Sequence, residues 1–262
     1  MTDAAANRYD SQNIKMMELV YGKGYLSAGG DEEVARIVSA VTIEGKGVLD
    51  IGCGLGGAAV TLVRDHRARH VHGLDIDSRV IERAVELVEA AGVAEQVTLT
   101  QFGGGVLPYA DDSFEVVYVT ATTCHLEDLA GFFRESCRVL RAGGWIVGGE
   151  WFKAADNAAF KRWDSLLRQQ GLNFHFVSRQ QFETALSTNG FEPGSAIDRT
   201  QATSELTRGY LRRVETDLRE ELLTTLGAEG LDSFLAWTRS RYDALANGGM
   251  YYGHFRARKL AI

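Results

Sequence analysis

The run Val48-Leu49-Asp50-Ile51-Gly52-Cys53-Gly54-Leu55-Gly56-Gly57 constrains this chain more than any other stretch. Val48 to Ile51 reads as a buried strand, the glycines as a tight turn, and Ala58 to Val63 as the start of a helix. Glycine has no Cβ, so backbone in such a turn can come close to a nucleotide-like ligand. Gly52, Gly54 and Gly57 also satisfy the dinucleotide pattern, so the glycines alone do not choose the ligand. Asp50 helps more. A carboxylate two residues before the first glycine repels a pyrophosphate, but it can order the turn and face a cationic ligand.

The rest of the first 151 residues alternates strand and helix. Apolar spacing at Ile14, Met17, Val20 and Tyr21 predicts a helix over 11–22, followed by a loop rich in glycine, and Asp31 is placed to cap a short helix through Val41. Strands are expected at Val48–Ile51, Val71–Leu74, Val97–Leu99, Phe114–Val119 and Trp145–Trp151. Helices are expected after Asp77 or Ser78, and from Leu126 to Leu140 up to Gly143-Gly144. Continuous apolar strands alternating with helices imply a mostly parallel sheet covered on both faces, which binds ligands at the carboxyl ends of its strands. Asp50, Asp75, His125 and Trp151 all fall at or just after predicted strand ends. Beyond Trp151, helices are expected over Ala155–Gln170, Ser178–Asn189, Glu205–Leu226 and Leu231–Asn247, with strands over Phe191–Ile197 and Gly249–Leu260. The late helices read as a cap over the strand ends. The organisation expected is one domain: lid helices and a cofactor loop over 1–43, a ligand-binding core over 44–152, and completion of the sheet with the helical cap over 153–262.

Composition excludes several classes. A formal charge of −7 and a pI near 5.4 argue against a broad nucleic-acid surface. No apolar stretch is long enough to span a membrane, and Met1 to Asp10 is polar, without the apolar segment of a secretory signal. Cys53, Cys124 and Cys137 form no CxxC pair, as expected in a reducing cytoplasm, and neither they nor the scattered histidines have metal-ligand spacing. A small-molecule ligand is the expected partner. The cap helices could also form the interface of a homo-oligomer.

Asp75 lies 21 positions after Gly54, at the end of the second strand, where an acid can accept both hydroxyls of a ribose. That suits NAD and S-adenosylmethionine (SAM) equally; the cationic, phosphate-free SAM better matches Asp50. VLDIGCGLGG, GLDID, LPYADDSFEVVYV and RVLRAGGWIVGGE together resemble the class I SAM-dependent methyltransferases. The resemblance implies the Rossmann-like fold of that class with an N-terminal lid helix, and SAM as cofactor. It implies a cofactor site built from Ser27, Asp50, Gly52, Gly54, Asp75, Ile76, Gln101, Phe102 and Thr120. Where family members carry Gly-Asp before the LP motif, this chain has Gln101-Phe102-Gly103-Gly104-Gly105, so Gln101 or a backbone carbonyl would have to read the adenine.

Tyr9 to Gly30, with YGKGYLSAGG, and more loosely the ending WTRS…YYGHFRARK, are similar to phosphoethanolamine N-methyltransferases. That similarity implies that Tyr9 and His125 close over the acceptor as the catalytic pair and that Ser27 touches the cofactor. Tyr25 and Trp151 complete the expected acceptor site. The family's phosphate ligands do not carry over: their positions fall at Trp151, at Leu167, Gln170 and Leu172 or their neighbours, and at Ser240. Trp151, Trp163, Phe174, Phe176 and Trp237 imply a more aromatic pocket. The expected reaction is methylation of an amine nitrogen in a metabolite or natural product other than phosphoethanolamine. Oxygen or carbon acceptors stay open, including a prenyl diphosphate with Mg²⁺, although no acidic cluster supports the metal. Two readings of other classes also stay open, a nicotinamide-dependent oxidoreductase and a SAM-binding protein without catalysis. Asp50 and the lack of a Tyr-x-x-x-Lys pair weigh against the first, and Tyr9 and His125 against the second.

Overall fold

The computed structural model describes residues 9–172, 174–194 and 196–260. Of the polar stretch Met1 to Asp10, only Tyr9 and Asp10 fall within the described residues. Helix α1 (Ser11–Tyr21) is capped by Asp10, which accepts from Asn13 N at 2.8 Å, and ends at Gly22 with φ 105°. Helix α2 (Gly30–Val38) follows. The core then runs β1 (Gly47–Ile51), α3 (Gly57–Arg64), β2 (His70–Asp75), α4 (Ser78–Ala90), β3 (Val97–Gln101), β4 (Phe114–Thr120), α5 (Leu129–Val139) and β5 (Leu140–Lys153). Helices α6 (Ala158–Gln169) and α7 (Arg179–Ser187), strand β6 (Ile197–Asp198), helices α8 (Thr200–Glu215) and α9 (Arg219–Ala246), and strand β7 (Met250–Arg258) complete the chain.

The sheet has seven strands in the order β3-β2-β1-β4-β5-β7-β6. The first five pair in parallel, and β7 runs antiparallel to β5, from Trp145 opposite Arg258 to Lys153 opposite Met250. This is the Rossmann-like sheet of the class I methyltransferases. Every residue of β1 is buried, because β1 is central and covered on both faces. One face packs Leu49, Val117, Phe133, Ile146 and Phe152 together; the other packs Val48, Leu62, Val71 and Val116 against α2, α3 and α4. A third cluster ties α1 to α8 and α9 through Met17, Val20, Tyr21, Tyr210, Leu211 and Phe234.

Several predicted boundaries are corrected. Gly29, with φ 118°, precedes α2 as its N-cap, and the helix ends at Val38 instead of Val41. Asp31 lies inside its first turn, where its carboxylate accepts from Tyr25, Thr61 and Arg64 instead of capping. The helix expected from Leu126 starts at Leu129, because Thr123–His125 form a separate 3₁₀ turn and Asp128 supplies the cap to Gly131 N. Phe191–Ile197 is no continuous strand: Phe191 makes an isolated bridge to Lys259, and only Ile197 and Asp198 join β7. Pro193 has no N–H to donate to a ladder between them. Finally, α8 begins at Thr200 and ends at Glu215 rather than Leu226, and the break expected near residue 227 is a kink within α9, where Gly227 has φ 72°.

Candidate active site

A cavity of about 840 Å³ opens over the carboxyl ends of β1, β2, β4 and β5, within the range of small-molecule sites. At one end lies the glycine turn. Gly52 N and Cys53 N donate to Leu74 O at 2.7 and 2.9 Å, which fastens the turn to β2. Gly52 has φ 77°, and a Cβ there would collide with the Thr122 side chain. Only glycine lets the turn and the loop after β4 approach so closely.

Asp75 sits beside this turn with its carboxylate oriented from both sides. Gly54 N donates to Oδ2 at 3.0 Å and Asp77 N to Oδ1 at 3.2 Å. Burial nevertheless raises its pKa, because these bonds only partly replace water. Asp50 lies behind the wall, 1% exposed, and its Oδ2 is buried without a partner. Burial first, and then the charge of Asp75, pushes its pKa up to about 8. Ser27, Gly52, Gly54, Ile76, Phe102 and Thr120 all line the cavity. Gln101 does not: its side-chain amide donates to Ile76 O at 3.2 Å, and the wall beside it is built from Phe102 and the Gly103–Val106 loop.

The roof comes from the N-terminal segment. Gly57 N donates to Gly24 O at 3.1 Å, pinning the 24–28 loop over the start of α3. Tyr25 lines the cavity, and its hydroxyl donates to Asp31 Oδ1 at 2.5 Å and lies 3.0 Å from Thr61 Oγ1. Its pKa is raised, chiefly by burial and then by the bond to Asp31.

The other end is aromatic. Trp151, Trp163, Phe174, Phe176 and Trp237, all singled out in the sequence, line it. Trp163 and Trp237 lie 5.2 Å apart, and Phe174 stacks on Phe176 at 5.2 Å. Tyr9, just ahead of α1, and His125, on the 3₁₀ turn after β4, both line the same cavity, and the His125 ring lies 4.4 Å from that of Phe174. Three functional candidates escape the sequence reading. Glu150, buried on β5, accepts from Thr122 N, Thr123 N and Thr123 Oγ1 at 3.1, 2.7 and 2.6 Å, and so fixes the turn that carries His125. Its signal was an acid inside the apolar run VGGEWF. Tyr252, on β7, packs its ring against Trp151 with centroids 4.7 Å apart and the planes tilted by 53°. Arg241 lies on the wall where the family position had fallen at Ser240, and its signal was the four-residue spacing from Trp237 on one helix face. Among the described residues no group of three or more His, Cys, Asp or Glu is arranged to hold a metal ion, and no helix is long and apolar enough to cross a membrane.

Comparison with known proteins agrees with this geometry. Residues 49–148 match the family model described as a methyltransferase domain. Phosphoethanolamine N-methyltransferase 1 of Arabidopsis thaliana is 28% identical over 253 residues, covering 96% of this chain and 50% of that protein. The chain thus spans about half the length of the plant relatives it matches. The 27-O-demethylrifamycin SV methyltransferase of Amycolatopsis mediterranei is 31% identical over 226 residues, covering 81% of this chain and 82% of the relative. Among solved structures, Haemonchus contortus phosphoethanolamine N-methyltransferase 2, in complex with phosphomonomethylethanolamine and S-adenosylhomocysteine, superposes with a TM-score of 0.87 at 22% identity, over 99% of this chain and 60% of that one. The domain match and the relative matched over most of both lengths settle the family: the chain belongs to the class I SAM-dependent methyltransferases, whose cofactor is SAM.

Proposed function

We propose that the chain transfers the methyl group of SAM to an amine nitrogen of a small metabolite or natural product other than phosphoethanolamine. One observation carries this reading: a single cavity joins the glycine turn and Asp75 at one end to an aromatic acceptor chamber at the other, with Tyr9 and His125 in its wall. The residues fit the cofactor. Asp50, just behind the wall, carries a buried oxygen without a partner among the described residues, and the Asp75 carboxylate, which lines the cavity, is pre-oriented for ribose hydroxyls. Ile76 and Phe102 offer apolar surface for the adenine, with Ser27, Gly52, Gly54 and Thr120 lining the remainder.

Bound SAM supplies an electrophilic methyl whose leaving group is a neutral thioether. The protein is left with alignment, water exclusion and one proton. Holding the acceptor in line is worth roughly 7–11 kcal/mol of barrier. The aromatic walls exclude water and tolerate a cationic amine through ring-face contacts. An amine arriving protonated must lose its proton before attack, and His125 is the base in this scheme, with Tyr9 closing over the acceptor; such a base contributes about 10²–10⁴-fold. The setting proposed is the reducing cytoplasm, in keeping with the free thiols of Cys53, Cys124 and Cys137.

Oxygen methylation is the second reading, and its specific support is the Amycolatopsis relative. The test is calorimetric titration with SAM and S-adenosylhomocysteine, then a screen of small amines and phenols with labelled SAM and mass spectrometry of the product. Methylated amines carry the proposal, and methylated phenols alone would replace it with the second reading. With the true acceptor, His125→Ala should lower kcat by about 10²-fold or more and Tyr9→Phe by a smaller factor. Full turnover in both variants would remove the pair from the mechanism.

A further inference from the structure

Among the described residues Arg241 is the one arginine in the cavity's aromatic chamber, and its surroundings are unlike those of its neighbours on α9. Arg239 pairs with Glu215, and Asp243 is taken by Arg162. Arg241 is 5% exposed and has no acid partner among the described residues. Its guanidinium sits among rings, 4.5 Å from the Trp237 centroid, 5.7 Å from Trp151 and 5.9 Å from Tyr21. Among the described residues one hydrogen bond holds it, from Nη2 to Tyr21 Oη at 3.3 Å, while Nε is buried without a partner there.

A guanidinium carries five N–H donors in a planar fork. Ring faces attract its charge but accept its N–H groups poorly, so this cation is under-satisfied in a water-poor chamber. An oxyanion delivered by the ligand would supply what the protein omits. The chamber also selects among oxyanions. A phosphate dianion asks for several donors, whereas the groups nearest the Arg241 guanidinium are the rings of Trp237, Trp151 and Tyr21. A carboxylate carries one charge, is planar, and matches a single guanidinium fork with apolar flanks.

We propose that the methyl acceptor carries a carboxylate and that Arg241 is the residue that selects it. The acceptor is then an amino-carboxylate with an apolar or aromatic body, its acid on Arg241 and its nucleophile toward His125. This inference rests on the methyl-transfer reading, and the experiment separates the two. Trp151, Trp163 and Trp237 line the cavity, so tryptophan emission reports on occupancy. S-adenosylhomocysteine is titrated first, on the native protein and on Arg241→Gln and Arg241→Lys. The saturated proteins are then titrated with 3-phenylpropionate, its alcohol 3-phenylpropan-1-ol, and phenyl phosphate.

The native protein should bind the carboxylate at least tenfold more tightly than the alcohol and more tightly than phenyl phosphate. Arg241→Gln should erase the preference, and Arg241→Lys should keep part of it, because the charge stays and the fork is lost. Equal binding of carboxylate and alcohol, binding of neither, tighter binding of phenyl phosphate, or an undiminished preference in Arg241→Gln would each overturn the assignment. If the variants do not fold, the native comparison alone decides. Failure to bind S-adenosylhomocysteine would count against the methyl-transfer reading itself.

Discussion

Asp50 ends in an oxygen with no hydrogen-bond partner among the described residues, and its pKa of about 8 follows from burial and the neighbouring Asp75 charge. A carboxyl raised in the folded state favours folding while protonated. Its contribution is fully present below the unfolded value of about 3.9 and is lost as pH rises through about 8. A cation beside the ionised carboxylate acts the other way, so cofactor binding at neutral pH should expel the proton. Calorimetric titration with SAM at pH 7, in buffers of differing ionisation heat, should show release of about one proton per site, and none in Asp50→Asn. Equal heats in all buffers for the native protein would mean that Asp50 keeps its protonation state when the cofactor binds. Asp50 and Asp75 were readable from sequence because strand-end position and glycine spacing are local signals. Arg241 was not, because its meaning depends on Tyr21 and Trp151, which lie on other elements far away in the chain. Gln101 shows the converse. Its position before the glycines was legible, but the bond that turns its amide to Ile76 O was not.

Among the elements, the 3₁₀ turn Thr123–His125 is short and is anchored by side-chain bonds from β5. Three donors converge on Glu150 Oε2, while Oε1 accepts from Trp151 N at 2.8 Å. One carboxylate thus sets both the turn bearing His125 and the backbone of Trp151. Its raised pKa reflects burial, opposed by these bonds. Glu150→Gln should cost about 1.5–3 kcal/mol in chemical denaturation, the value of hydrogen bonds to a buried charge. It should also lower kcat more than it raises the KM for SAM, because the cofactor's glycine turn is held by Leu74 instead. A variant with native kcat would make Glu150 structural only. Strands were legible because buried parallel strands are unbroken apolar runs. The α8–α9 junction was not: residues 216–218 contain neither Gly nor Pro, and packing of the two helices against each other and α1 sets the turn. The strand expected at Phe191–Ile197 failed for a local reason that the sequence did contain, namely Pro193.

At the scale of the whole molecule, the site is closed by chain far from the glycine turn. Tyr25 fastens the roof to α3 through Asp31 and Thr61, and Tyr21 reaches α9. Tyr25→Phe leaves the ring in place and removes the clasp. It should weaken S-adenosylhomocysteine binding several-fold and speed amide hydrogen exchange over residues 22–31, with the sheet core unchanged; identical exchange would show that the roof holds without it. The bond between Tyr21 and Arg241 spans 220 positions. On a ribosome adding about 5–20 residues per second, the arginine follows the tyrosine by roughly 10–45 seconds. Strands β1 to β4 and the glycine turn emerge well before that. Through this interval α1 carries Met16, Met17 and Val20, buried in the finished protein, with no α9 to receive them. The acceptor chamber is therefore completed only after the glycine turn and strands β1 to β4 have been synthesised.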